Sequence, residues 1–208
     1  MATKKKAPVT EELKIPKPNI KNIMLTIVGT TPLIVNRFSE RAMDEIEKKQ
    51  TSPAGSKMAK RKVRDPEAEY EGSIYLMKDG KNHGIKAMGF KNAMIDAAGT
   101  FTEFPKTSLR RAIHIDRDLL KIEFDEKDLH MDRSVVRLAG PSRPADLRYR
   151  ARYEKWSVKV PLKYNADIID KNSVVNLASL ASNIGLHEHR PDKNGTFGQF
   201  DVTEVHDA

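Results

Sequence analysis

Apolar and polar positions alternate most regularly near the start of the chain. Ile23, Leu25 and Ile27 fall on one side of an extended segment of β-favouring residues, which predicts a strand. Gly29 ends this strand, and Pro32 lies in the turn that follows. The spacing then changes to the helical one over residues 38–50. The apolar positions of that predicted helix are Phe38, Ala42, Met43 and Ile46.

The middle of the chain contains segments with the alternation of a strand and segments with the spacing of a helix. Residues 74–77 and 85–87 predict two short strands around the turn Asp79-Gly80. A helix follows, with Gly99 as its predicted stop. Its apolar face consists of Phe90, Ala93, Met94 and Ala97. Residues 112–116 and 119–124 predict two further strands, and residues 125–147 are irregular.

The last third of the chain begins with a long alternating segment, residues 147–164. In this segment Arg148, Arg150 and Arg152 point to one side and Tyr149, Ala151 and Tyr153 to the other, while Val158 and Val160 point to the core. A helix opens at residue 170, with Asn172 or Ser173 as the expected cap. Residues 196–205 form the predicted final strand.

This order of elements predicts an α+β protein with a mainly antiparallel sheet. The first β-α pair and the last α-β pair frame a ferredoxin-like, RRM-like β-α-β-β-α-β core with long insertions. We expect a flexible arm over residues 1–20 and one domain over residues 21–208. Its insertions are a basic loop at about 48–72 and an Arg/Tyr-rich insertion or hairpin at about 125–160.

Composition narrows the function classes. The chain has 208 residues, a formal net charge of +8 and no cysteine, so disulfides, zinc thiolates and cysteine nucleophiles are excluded. The N-terminus lacks an apolar signal segment, and no apolar run approaches the roughly 18 residues of a membrane span. These features predict a soluble, cytoplasmic protein. The positive charge favours a polyanionic partner, most commonly nucleic acid.

Catalytic and metal motifs are missing from the sequence. It contains no P-loop, no G-x-S-x-G, no H-E-x-x-H and no EF-hand loop. His187 and His189 form an H-x-H pair without a third ligand. We therefore predict no catalytic residue, no metal and no cofactor. An RNA-processing nuclease that uses these two histidines stays an open alternative.

A basic and aromatic segment is the strongest candidate site. Arginines and rings that interleave in this way suit single-stranded nucleic acid, which offers phosphates and unstacked bases together. The alternative is a two-faced strand pair with its rings in the core and its arginines in water. The candidate residues are Arg133, Arg137, Arg143, Arg148, Arg150, Arg152, Tyr149, Tyr153 and Trp156.

The predicted loop at 48–72 is a second basic candidate. Its cations are Lys57, Lys60, Arg61, Lys62 and Arg64, and a run of acids follows them. Such a loop either contacts nucleic acid or is a solvated linker.

Three segments together resemble the RAMP superfamily, the RRM-like proteins that form the backbone of CRISPR effector complexes. "LTIVGTTPLIVNRF" resembles the first strand and G-x-x-P-L turn of that family. "GIKAMGFKNAMIDAA" is similar to its I-P-x-S-S-L-K-G-x-x-R segment, with Lys91 at the lysine position. "NIGLHEHRPDKNGTFGQFDV" resembles its C-terminal glycine-rich loop, where Gly185, Gly195 and Gly198 take the glycine positions and Arg190 and Lys193 the basic ones.

The resemblance implies an RRM-like subunit that polymerises along a guide RNA, with the glycine-rich loop against the RNA and with other effector subunits as partners. It implies a protruding thumb hairpin, for which the insertion near 133–156 is the candidate. Some relatives cut RNA with an aspartate in the loop after the first strand. That loop is "GTTPLIVN" here, so no cleavage is predicted. A phage protein that coats or anneals single-stranded DNA, an anti-defence mimic and a protein scaffold remain alternatives.

Overall fold

The computed structural model describes residues 16–38, 40–52, 63–138 and 141–207. The strands are β1 (Ile20–Gly29), β2 (Leu33–Val35), β3 (Tyr75–Leu76), β4 (His83–Lys86), β5 (Ile113–His114), β6 (Leu119–Glu123), β7 (Leu129–Arg137), β8 (Ala145–Tyr153), β9 (Ser157–Asn165) and β10 (Phe200–Asp207). The helices are α1 (Glu40–Thr51), α2 (Pro66–Gly72), α3 (Ala87–Phe101), α4 (Lys106–Ala112) and α5 (Lys171–Leu180). None of these helices is long and apolar enough to cross a membrane.

Six elements build the core in the order β1, α3, β6, β9, α5, β10. Their strands lie in the spatial order β10-β1-β9-β6, and β4 and β3 extend the sheet beyond β6. Every pairing in this sheet is antiparallel. The predicted α+β fold with a ferredoxin-like, RRM-like core is therefore confirmed.

Strand alternation decides which side of the sheet is buried. Ile23, Leu25 and Ile27 of β1 are buried, as are Val158 and Val160 of β9, as predicted. The register places the two sets opposite each other, because Ile27 pairs with Val158 and Leu25 with Val160. They form one hydrophobic cluster with the apolar faces of α3 and α5. The other side of these two strands is the open face of the sheet.

Two helix ends differ from their predictions. α3 continues through Gly99 to Phe101, so the predicted stop at Gly99 is wrong. The cap of α5 is Asp170 rather than Asn172 or Ser173, because the Asp170 carboxylate accepts a hydrogen bond from the backbone N–H of Ser173 at 3.0 Å. An aspartate at this position also compensates the positive end of the helix dipole.

The insertions contain more regular structure than the sequence predicted. β7 and β8 form a long hairpin between β6 and β9, and with β2 they build a second sheet in the order β2-β8-β7. The irregular assignment of 125–147 was wrong because β7 alternates polar residues with only a few apolar ones. α2 lies inside the predicted 48–72 loop. The strand predicted at 112–116 is shorter in the structure: residue 112 is the end of α4, and only β5 is extended and paired.

We expect Gly29→Ala to destabilise the protein. A Cβ at Gly29 would overlap the indole ring of Trp156, which is itself in the core. Overpacking of this kind costs about 1–3 kcal/mol. Chemical denaturation should be compared with that of Gly89→Ala, because Gly89 is inside α3 and a Cβ there meets no atom within 4 Å. Gly89→Ala should be neutral or stabilising, and equal effects of the two changes would contradict the packing argument.

Candidate nucleic-acid interface

The outer half of the β7–β8 hairpin, residues 133–138 and 141–149, carries the most accessible basic surface on the described part of the insertion; we call it the distal hairpin. Its register places Arg133 opposite Tyr149, Val135 opposite Leu147 and Arg137 opposite Ala145. Opposite residues of an antiparallel pair point to the same face. This face therefore joins two exposed arginines, a half-exposed tyrosine ring and the 62% exposed side chain of Val135.

The distal hairpin has an excess of positive charge. Its one described acid, Asp146, is already bound by Arg148 at 2.8 Å and by Arg64 at 2.8 Å. Arg64 also lies 6.0 Å from the centre of the Tyr149 ring. Arg133, Arg137 and Arg143 have no acidic partner among the residues that the structure describes. Three guanidinium groups are therefore free to meet an anion.

Arg150 belongs to a different environment from that of its neighbours on the strand. It is 1% exposed. Its Nη1 donates to Glu188 at 3.1 Å, and its Nη2 donates to Ser134 at 2.5 Å, to His189 Nε2 at 2.7 Å and to Asp132 at 3.3 Å. The prediction that Arg150 contacts nucleic acid needs correction, because its guanidinium joins the hairpin to the C-terminal loop and has no room for a phosphate.

Two of the predicted stacking rings are also in the core. Tyr153 is 0% exposed and its hydroxyl lies 2.9 Å from His83 Nδ1, and burial raises the pKa of Tyr153 above its usual range. Trp156 is 3% exposed and donates from Nε1 to the carbonyl of Thr31 at 2.9 Å. Neither ring can stack on a base in this position. Of the three predicted rings, only Tyr149 has an accessible face.

Arg152 is neither as exposed as the arginines of the distal hairpin nor as buried as Arg150. It binds Glu154 at 2.7 Å, and its guanidinium lies 5.0 Å from the centre of the Phe197 ring. Since Phe197 is in the C-terminal loop, Arg152 also fastens the hairpin to that loop. The alternation of the β8 arginines and rings was predicted correctly, but Arg150 and Arg152 contact residues of the segment 187–197.

The C-terminal loop, residues 184–199, is folded on itself. Gly185 and Gly198 adopt φ values of +74° and +73°, which favour glycine. A Cβ at Gly195 or Gly198 would overlap the loop's own backbone, at His189 and Leu186 respectively. The glycines therefore allow a close approach of backbone segments within the loop.

The two predicted cations of this loop already have partners. Arg190 donates to the carbonyl of His187 at 2.9 Å and to Asp192 at 3.3 Å. Lys193 binds the same Asp192 at 3.0 Å. The pKa of Asp192 is lowered by its hydrogen bond with Lys193 and by the neighbouring cations. The loop thus presents a largely neutralised surface.

The two histidines of the loop have structural contacts. His187 and His189 both take positive φ values, 57° and 52°. Burial, and secondarily the charge of Arg190, lowers the pKa of His187 to about 4. His189 Nε2 lies 2.7 Å from Arg150 Nη2 and accepts its hydrogen bond, since a guanidinium can only donate. The described residues include no group of three or more acidic or histidine side chains that could hold a metal.

We expect stability to fall as the pH decreases from about 6.5 towards 4. The folded-state pKa of His187 lies below the ordinary value of about 6.5, so in this window the unfolded chain binds a proton that the folded chain does not. The loss attributable to His187 should reach about 2 kcal/mol at pH 5. Urea unfolding at pH 7 and pH 5 measures it. His187→Asn, which tolerates a positive φ, should show a smaller pH dependence, and an unchanged one would contradict the assignment.

The remaining predicted residues lie elsewhere. Lys91, on α3, donates to the carbonyl of Arg110 at 3.0 Å beside a cavity of about 270 Å³, and no described contact connects it with the hairpin. Lys57, Lys60, Arg61 and Lys62 lie outside the described residues. Val135 was missed by the sequence analysis, because β7 is largely polar on both faces and gives no clear strand signal in the sequence.

The open face of the sheet does not resemble an aromatic binding platform. On β1 and β9 it carries Met24, Thr26, Lys159, Pro161 and Lys163, and no aromatic ring. Lys163 forms an ion pair with Asp116, and Thr26 donates to Glu204 at 3.1 Å. The hairpin therefore offers the better surface for a single strand.

The fold and this hairpin define an RRM-like protein with a basic β-hairpin inserted after its second core strand. No protein-family model and no curated protein sequence matches the chain. A chain in the cryo-EM structure of the type III-B Cmr-beta bound to cognate target RNA is similar in fold, with a TM-score of 0.56 and 9% sequence identity. The alignment covers 90% of this chain and 60% of that chain. This likeness shows a shared fold.

Proposed function

We propose that the protein binds single-stranded nucleic acid through the distal hairpin, without cleaving it. The observation that carries this proposal is the cross-strand pair of Arg133 and Tyr149, flanked by Arg137 and Arg143, which have no acidic partner in the described part of the chain. Arginine meets the phosphates of a single strand, and a tyrosine ring meets its unstacked bases. Because a duplex exposes its phosphates but keeps its bases paired and stacked, a single strand fits this surface best.

RNA is the preferred ligand in this proposal. The support is the likeness in fold to a chain whose structure contains cognate target RNA, together with the resemblance of three sequence segments to the backbone subunits of CRISPR effectors. Several copies would line up head to tail on the strand, beside other effector subunits. This chain spans only 60% of the length of the similar chain, so the assembly belongs to the proposal.

A non-catalytic role is supported by the chemistry of the candidate groups. The loop between β1 and β2 has no aspartate. His187 Nε2 is buried, and His189 Nε2 accepts a hydrogen bond from Arg150. A general base needs an accessible lone pair within reach of the proton that it removes. Neither Nε2 atom offers one in this arrangement.

Fluorescence anisotropy with labelled RNA, single-stranded DNA and duplex DNA of equal length tests the proposal. We expect RNA to bind most tightly, with an affinity that falls linearly in a plot against the logarithm of salt concentration. A preference for single-stranded DNA would indicate a DNA-coating protein instead. Absence of binding at low salt would refute the proposal and favour a scaffold with an acidic protein partner. Gel analysis of the same RNA after incubation reports on cleavage.

A further inference from the structure

The opposite edge of the molecule contains a groove that the nucleic-acid proposal does not use. β10 is the last strand of the sheet, and no described strand pairs with its outer edge. A groove of about 450 Å³ runs between this edge and α5. It is lined by Lys171, Asn172, Val175, Asn176 and Val205. An open strand edge beside a helix is the geometry in which an extended peptide can add to a sheet.

The lining of the groove suits a peptide backbone and small apolar side chains. Val175 and Val205 are half-buried and form the apolar part of the lining. Asn172 and Asn176 are one helical turn apart and exposed, and their side chains form no hydrogen bond with other described residues. An amide side chain donates and accepts, so it can match either group of a peptide unit.

The charges along β10 indicate which peptide would bind. Asp201, Glu204 and Asp207 are exposed acids of this strand. Asp201 has no cationic partner among the described residues, whereas Asp207 is held by Lys171 at 2.6 Å. Asp201 alternates with Phe200 and Val202, which point into the core side. A peptide added to this edge would therefore place every second side chain beside the α5 groove and the side chains between them beside these acids.

We propose that this edge binds an extended segment of a partner protein in which small apolar residues alternate with lysine or arginine. The apolar residues lie against Val175 and Val205, and the cations face Asp201 and Glu204. Cross-strand pairs of opposite charge stabilise such an addition. The same charges disfavour a second copy as the occupant, since antiparallel pairing of two β10 strands places acids against acids.

A peptide-binding experiment on the full chain tests this inference. The probe is a fluorescein-labelled hexapeptide of alternating lysine and valine, and a peptide with the three lysines before the three valines is the control. We expect the alternating peptide to bind more tightly and to shift the backbone amide signals of β10 and α5 in an NMR titration. Asp201→Lys with Glu204→Lys should weaken binding about tenfold. Asp125→Lys with Glu126→Lys, the same charge change beside the hairpin, should not.

Several outcomes would overturn the inference. Equal affinity for the two peptides, or no affinity in the full chain and in a chain without residues 1–15, would remove the site. Binding only after removal of residues 1–15 would identify the chain's own arm as the occupant. A dimer that the alternating peptide dissociates would identify a second copy as the occupant. Arg133→Glu with Arg137→Glu should leave peptide binding unchanged, so this result is independent of the nucleic-acid proposal.

Discussion

Arg150→Met is expected to destabilise the protein by about 3–5 kcal/mol. The guanidinium is almost fully buried and binds Glu188, Asp132 and His189 at once. Its removal leaves the Asp132 carboxylate, which is only 12% exposed, without its cation. Removal of one member of a buried ion pair is costly because the partner keeps its charge and has lost its solvation. Urea denaturation followed by circular dichroism measures the change.

Arg148→Met is the matched control for this experiment. Arg148 is on the same strand and face, but it is 42% exposed and binds only Asp146. Exposed ion pairs contribute about 0–1 kcal/mol, so this variant should remain close to the parent protein. If the Arg150 variant fails to fold, Glu188→Gln provides a milder test, since Glu188 is 41% exposed. Equal stability of the Arg148 and Arg150 variants would refute a structural role for Arg150.

Arg133→Glu combined with Arg137→Glu is expected to weaken RNA binding on the order of 100-fold at physiological salt. Both side chains are exposed on one face of the distal hairpin and pair with no acid that the structure describes, so the change replaces attraction to phosphate by repulsion. The slope of log affinity against log salt should become shallower by about 1.4, from two lost contacts with a single strand. Anisotropy over a salt series measures both quantities.

The control for this pair is Arg110→Glu with Arg111→Glu on α4. It makes the same change in net charge at two exposed arginines that belong to another element. Beyond a Debye length of about 8 Å such charges are largely screened at physiological salt. RNA binding should therefore change little in the control. An equal loss in both variants would show that total charge, rather than the hairpin, governs binding.

The core of the fold could be predicted from the sequence because its signals are local. The alternation around Leu25 and the helical spacing around Phe90 each specify one buried face, and both faces are buried as predicted. β7 gave no such signal, since both of its faces are largely polar and its stability comes from pairing with β8. Local sequence patterns do not predict a strand that is stabilised mainly by pairing with its neighbour rather than by burial of its own apolar residues.

The candidate site was predicted less completely for a related reason. The sequence shows that Arg148, Arg150 and Arg152 alternate with rings, but not which face another segment covers. Arg150 binds Glu188, which is 38 positions away along the chain. The same long-range contact removes Arg150 from the accessible surface, whereas Arg133, opposite Tyr149, stays exposed. Residue type and spacing identified the hairpin, and tertiary contacts selected the residues within it.

The position of β1 in the sheet has a consequence for synthesis of the chain. β1 begins at residue 20, but its two neighbours are β9, which ends at residue 165, and β10, which ends at residue 207. During translation, both edges of the apolar strand β1 therefore stay unpaired until nearly all of the described chain has been synthesised. Exposed strand edges of this kind favour association between nascent chains. We expect slow translation or loss of chaperones to reduce the yield of folded protein, even where the finished fold is stable.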